Sequence, residues 1–176
     1  MSDHLKSSSL PVEEQLVYQD KVEILLPAYQ WFDIKLFRLP DEPTDDREAL
    51  SLLLRHVRYR DSYATENEED AVSIHGPYYL EAITTDSFAR SDSASAETTL
   101  HTWAEQVVPV PDNERDEAER ELYSRVRAAT SCYRLAVGPE AQHESGWVVG
   151  GLTGFHEFVL IDRRTGTLAL VVASDD

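Results

Sequence analysis

The stretch His156–Asp176, HEFVLIDRRTGTLALVVASDD, decides the fold. It holds two runs of β-forming residues, HEFVLID and TLALVVA, joined by Arg163-Arg164-Thr165-Gly166. Asp162 before that turn and Gly166 at its end fit a short hairpin in which the glycine takes a positive φ. Side chains alternate across a strand, so Phe158 and Leu160 point to one face while Phe155, Val159 and Ile161 point to the other. Leu168, Leu170 and Val172 oppose Ala169, Val171 and Ala173 in the same way. A ribbon apolar on both faces belongs in the middle of a layered body, not at a wet edge. The hairpin is therefore expected at the centre of a sheet, with helices over at least one face.

Two further stretches upstream read as strands. SCYRLAV is closed by Gly138-Pro139, and GWVVGGL is short and rich in glycine. The glycines at 146, 150, 151 and 154 fit neither GxGxxG nor a Walker loop. They read as a place where another backbone comes close, or as a sheet kinked at Gly150-Gly151 around a pocket with Trp147 as its aromatic wall. Near the amino terminus, VEEQLVYQDKVEILL and WFDIKLFRL flank Pro27, and the second alternates as a strand that Pro40 ends.

Helices are expected between these strands. Asp45, with Glu48 three residues on, fits a capping box ahead of Leu50, Leu53, Leu54 and Val57 on one face. Leu100, Trp103, Ala104 and Val107 repeat that spacing after RSDSASAETT, which reads as a mobile loop. A third helix enters through Pro111, with Asp112 or Asn113 as cap, and carries Ala118, Leu122, Val126 and Ala129 as its stripe. AVSIHGPYYLEAIT reads as two short extended pieces around His75-Gly76-Pro77. No internal repeat is visible. Residues 1–10 are polar and serine-rich and read as a flexible tail. Residues 11–176 read as a single α+β domain: a mostly antiparallel sheet with about three helices packed on it and the C-terminal β-hairpin central.

Composition narrows the function. The chain has 176 residues, 41% of them hydrophobic, which is enough for a sizeable core. Its 33 acidic residues against 16 basic ones give a formal charge of −17. That balance argues against binding nucleic acid or anionic lipid, both of which call for Lys and Arg. It is compatible with a basic protein partner, with mimicry of nucleic-acid charge, or with solubility alone. Cys132 is the single cysteine, so no intrachain disulfide forms and a cytoplasmic setting is expected. No apolar run approaches the roughly 20 residues of a membrane span.

The candidate chemical groups are few. His156 and Glu157 are adjacent on a strand and so face opposite sides, and no HExxH follows. Facing inward, His156 would serve as an acid or base; otherwise it is a strand-start histidine satisfied by solvent or a carbonyl. His75 stands at a turn beside Tyr78 and Tyr79, where the three side chains would either bind a polar ligand and move a proton or pack half-buried with the phenols in water. His56 and His101 read as boundary residues of helices, and Cys132 reads as a buried small apolar residue. The six histidines show no metal-ligand spacing, so neither a metal nor a cofactor is expected.

One stretch carries a resemblance. DAVSIHGPYYLEAITTDSFAR, Asp70 to Arg90, has alternating apolar residues, a glycine, an aromatic pair and a Phe-x-Arg ending. It resembles a segment in an actinobacterial family of uncharacterised proteins, whose pattern has an arginine before the aromatic where this chain has Tyr78-Tyr79. The resemblance implies a source and carries over no activity, cofactor or site residue.

Two functions follow as expectations. The first is an acidic, non-catalytic protein-binding module, immunity-like or regulatory, with a basic partner. The alternative is a small pocket-forming enzyme or carrier for a hydrophobic small molecule, with His75 or His156 as acid or base and Trp147, Tyr78 and Tyr79 against the ligand. A pocket enclosing both histidines would favour the second.

Overall fold

The computed structural model of the chain describes residues 10–64, 73–144 and 150–176. A one-turn helix α1 (Val12–Gln15) leads into strand β1 (Val17–Leu25), which turns back into β2 (Gln30–Arg38). Helix α2 (Asp46–Arg55) and a 3-10 turn (Val57–Tyr59) follow, then a two-stranded ribbon of β3 (Ile74–His75) and β4 (Tyr78–Tyr79). Next come β5 (Phe88–Ser91), α3 (Ser93–Ala104) and α4 (Asp112–Ala118). From α4 the chain passes through a π-helical turn (Glu119–Tyr123) into α5 (Ser124–Ala128). Strands β6 (Ser131–Leu135), β7 (His156–Asp162) and β8 (Thr167–Asp175) complete it.

Six strands form one sheet in the order β1-β2-β8-β7-β6-β5, with every neighbouring pair antiparallel. The β7–β8 hairpin is central, as its two apolar faces require, and Gly166 closes it at φ 68°. On one face, Phe158, Leu160, Val171 and Ala173 pack under α3, α4 and α5 through Leu100, Trp103, Leu122 and Val126. On the other, Val159, Ile161, Leu168 and Leu170 pack under α2 through Leu50, Leu52 and Leu53. Both faces are thus covered, which explains a hairpin with no polar side. The α+β class and the central ribbon read from the sequence are the observed ones. Among the described residues no helix is long and apolar enough to cross a membrane.

Several elements differ from the sequence reading. The serine stretch is not a loop: β5 runs into Ser91, and Asp92 caps α3 by accepting from the Ser95 backbone N–H at 2.8 Å. Capping and the burial of Ala96 and Leu100 outweigh the modest helix propensity of serine. Helix α2 stops at Arg55, so Val57 falls in the 3-10 turn and is 52% exposed, while Leu52 is buried in its place. Val107 likewise lies past the end of α3 and is exposed. The third helix is capped by Pro111 itself with no side-chain bond, and Ala118, Leu122 and Val126 form its buried stripe across the π turn. Of the GWVVGGL segment, Gly150 and Gly151 belong to a turn, in which the Gly150 N–H bonds the Asp175 carbonyl at 2.9 Å. Residues 145–149, Trp147 included, lie outside the described residues.

Candidate functional site

The polar residues of the sheet gather at one end of the face under α2. Pairing sets Glu157 opposite Val172, Val172 opposite Asp33, and Asp33 opposite Glu23, one row across four strands. One step along on the same face, Leu170 lies opposite Lys35 and Lys35 opposite Lys21. A row of carboxylates therefore neighbours a pair of ammonium groups. The buried members, Asp33, Lys35 and Glu157, each need a partner, because an isolated buried charge costs several kcal/mol or more.

Partners arrive from the segment after α2. His75, on β3, lies wholly buried with its ring stacked on Tyr59 at 3.8 Å. Its Nδ1 faces the Tyr59 carbonyl, and its Nε2 meets Glu157 Oε1 in a short contact. A carbonyl only accepts, so Nδ1 donates to it. The Tyr59 hydroxyl donates to Glu157 Oε2 at 2.8 Å. Burial, together with that carboxylate, pushes the Tyr59 hydroxyl well above its ordinary pKa, so it stays a donor. Gly76 makes this closure possible: at φ 52°, a Cβ there would stand 2.5 Å from the Phe155 ring.

Lys35 uses all three of its ammonium protons. It donates to Arg58 O at 3.1 Å, Asp61 Oδ2 at 2.7 Å and Tyr63 Oη at 3.1 Å. Burial alone would raise the Asp61 carboxyl, but Lys35 brings it below the usual range. Lys21 bonds Glu23 at 2.8 Å and Asp33 Oδ2 at 3.0 Å. Burial still pushes Asp33 up despite Lys35 and Lys21. Asp33 Oδ1 has no hydrogen-bond donor among the described residues.

Beside this belt opens a cleft of about 290 Å³ whose walls include Glu23, Trp31, Asp33, Asp61, Tyr63 and Asp176. Trp31 and Tyr63 stack at 5.7 Å and 15°, and the Trp31 Nε1–H donates to Asp176 Oδ1 at 2.8 Å. Tyr63 holds φ 56°, a left-handed backbone uncommon for a tyrosine, which sets its ring between Trp31 and Lys35.

The residues singled out from the sequence are dispersed. His156 sits on the α3 face, with the sheet between it and His75. Its Nδ1 accepts from Arg134 Nη2 at 3.4 Å, its Nε2 donates to Thr153 O at 3.3 Å, and its ring meets Trp103. Tyr78 packs half-buried on Phe155, whereas Tyr79 is 40% exposed beside His143. No single site gathers the two histidines with both tyrosines. Cys132 is buried, and burial pushes its thiol up to about 11. His56 corrects the boundary reading: it is buried against Phe37, with Nδ1 accepting from the Arg58 N–H at 3.0 Å. Among the described residues no group of three His, Cys, Asp or Glu is placed to hold a metal. The residues that sequence reasoning missed are Asp33, Lys35, Tyr59, Asp61, Tyr63 and the role of Glu157. The available signal was the presence of charge inside otherwise apolar strands, at Asp33, Lys35 and Glu157.

Compared with known protein families and curated proteins, the chain matches none. Among solved structures, that of citrus MAF1 is similar over 86% of this chain and 92% of its own, at 12% sequence identity and a TM-score of 0.38. A likeness that loose carries no argument.

Proposed function

We propose that the chain is an acidic, non-catalytic protein-binding module whose partner is basic. The observation that carries this reading is a division of polar groups. The best acid–base pair, His75 with Glu157, is closed to solvent at 0% side-chain exposure for both, while large apolar side chains are exposed on the turns at one end of the sheet. A substrate cannot reach a sealed pair, so the pair serves the fold.

At the displayed end, the β1–β2 turn, the segment after α3 and the 150–154 turn come together. The Gln30 side chain bonds Trp103 O, and Trp103 Nε1 bonds Thr153 Oγ1. Leu25, Tyr29, Val107, Val108 and Leu152 are exposed there, and Leu152 reaches 85%. Glu23, Glu105 and Asp176 are exposed as well, on strand β1, after α3 and after β8. Apolar side chains rimmed by charge mark interaction surfaces, and the sign selects a basic partner. A single thiol, kept reduced, suits a cytoplasmic setting.

The test is capture from the native host's extract, with the wild type set beside a Leu25→Ser/Tyr29→Ser/Leu152→Ser variant whose melting is unchanged. A basic protein should be retained by the wild type, lost by the variant, and weakened about tenfold or more as salt rises past the physiological range. Equal retention by the variant, salt-independent binding, or no basic protein retained removes the reading.

A further inference from the structure

We propose that the second half of β1 is a docking edge, where an extended segment of the basic partner adds a further strand to the sheet. This deepens the module reading above and rests on it. β1 is an end strand of the sheet, so one side of its backbone faces β2 and the other faces no strand. The Leu26 N–H bonds the Gln30 carbonyl at 2.8 Å, and bonding residues alternate along an antiparallel pair. Ile24 and Val22 therefore bond β2, while the N–H and C=O groups of Lys21, Glu23 and Leu25 point outward. Lys21 agrees with that phase: its N–H is held by the carboxylate of its own neighbour, Asp20, at 2.8 Å. Glu23 and Leu25 have no such cover, and among the described residues their outward groups bond nothing.

The margins of the sheet are otherwise guarded. Proteins blunt an open edge with bulges, local caps or short strands, because an unblocked one recruits another chain. The opposite end strand, β5, is four residues long and is followed at once by the Asp92 cap of α3. The first half of β1 carries a register break between Tyr18 and Asp20 as well as the Asp20 cap. Segment 23–25 carries neither device. It ends in Leu25, 72% exposed, beside the turn that bears the exposed Tyr29. The open backbone is thus continuous with the apolar side chains assigned above to the partner. An added strand takes main-chain bonds from Glu23 and Leu25 and sets an apolar side chain against Leu25. A second copy fits poorly. Joining the two open segments antiparallel, Glu23 of each to Leu25 of the other, sets two Glu23 carboxylates diagonally on one face, in chains that each carry a charge of −17. A basic partner meets no such repulsion.

The probe is a basic strand peptide, acetyl-Lys-Val-Lys-Leu-Lys-amide, added to the full chain labelled with nitrogen-15. The Glu23 and Leu25 amide signals should move saturably and their exchange with deuterium should slow, while the Ile24 amide, already in the ladder, keeps its rate. The same peptide with its internal amides N-methylated should not bind, and one with glutamate in place of lysine should bind more weakly. Leu25→Pro removes an outward N–H and no bond to β2. It should weaken peptide binding about tenfold or more, while Leu25→Ser, which keeps that N–H, should weaken it only a few-fold. If Leu25→Pro does not fold, the N-methylated peptide decides. Unmoved Glu23 and Leu25 signals at millimolar peptide, equal binding of the N-methylated form, equal affinities of Leu25→Pro and Leu25→Ser, or a free chain already dimeric through these amides overturns the proposal. The two readings fail separately. A partner retained at full strength by Leu25→Pro leaves the module and removes the edge. Peptide pairing with no basic protein retained from the extract does the reverse.

Discussion

Glu157 is the residue whose place in the sequence says least about its partner. Its neighbour His156 points through the sheet the other way, and the histidine it meets is His75, 82 residues earlier. The alternation of HEFVLID was legible and rightly separates His156 from Glu157. Contact with His75 was not legible, because a short turn such as SIHGPYY can be folded onto any strand end and only tertiary packing selects one. What the sequence does carry is the requirement: a carboxylate in a strand apolar on both faces must find a donor. Removing one partner leaves the other buried and uncompensated. His75→Ala and Glu157→Ala should each cost about 3–5 kcal/mol in urea denaturation, and the double variant should cost about 1–3 kcal/mol less than their sum. Additive losses would show that the two side chains are not coupled.

Among the elements, the central hairpin was the most legible and the β1–β2 turn the least. The first announces itself through composition and a turn glycine. The second bends at Ala28 and Tyr29, which hold φ 60° and 61° although neither is glycine or asparagine. Two left-handed residues in a row make the tight turn that suits twisted strands, and Asn-Gly is its ordinary sequence. The Gln30 N–H reaching the Pro27 carbonyl at 3.5 Å closes that turn. Holding ordinary residues there costs about 1–2 kcal/mol each. Ala28→Asn/Tyr29→Gly should therefore raise stability by about 1 kcal/mol or more, seen as a higher Tm, while weakening partner capture through loss of the 79% exposed Tyr29 ring. An unchanged Tm would mean the turn stores no strain. Helix α3 shows the opposite lesson: a serine-rich stretch reads as loop, yet Asp92 within it is the cap that starts the helix.

For the whole molecule, acid acts first through histidines. Burial holds both His56 and His156 below the ordinary value of 6.5. Each already accepts a hydrogen bond at Nδ1, from the Arg58 amide and the Arg134 guanidinium, so protonation opposes the fold. The unfolded chain takes up protons as pH falls through about 6.5 while these two folded rings do not, and stability falls with it. Asp61 and Asp46, lowered below 3.8 by Lys35 and by Arg163, add a second loss at more acid pH, against which Asp33, raised by burial, acts in the opposite sense. Tm should drop between about pH 7.5 and 5.5, and His156→Gln should flatten that slope. An unaltered slope would mean that His156 accepts its proton in the fold.

The position of β8 between β2 and β7 has a consequence for biosynthesis. Gln30 pairs with Asp175, so the sheet cannot close until the chain has been made through residue 175, 145 residues after its partner. Until then the nascent chain carries β2 as an unshielded apolar template, open along the side that β8 later fills, and it depends on chaperones or rapid translation to avoid joining a neighbouring copy.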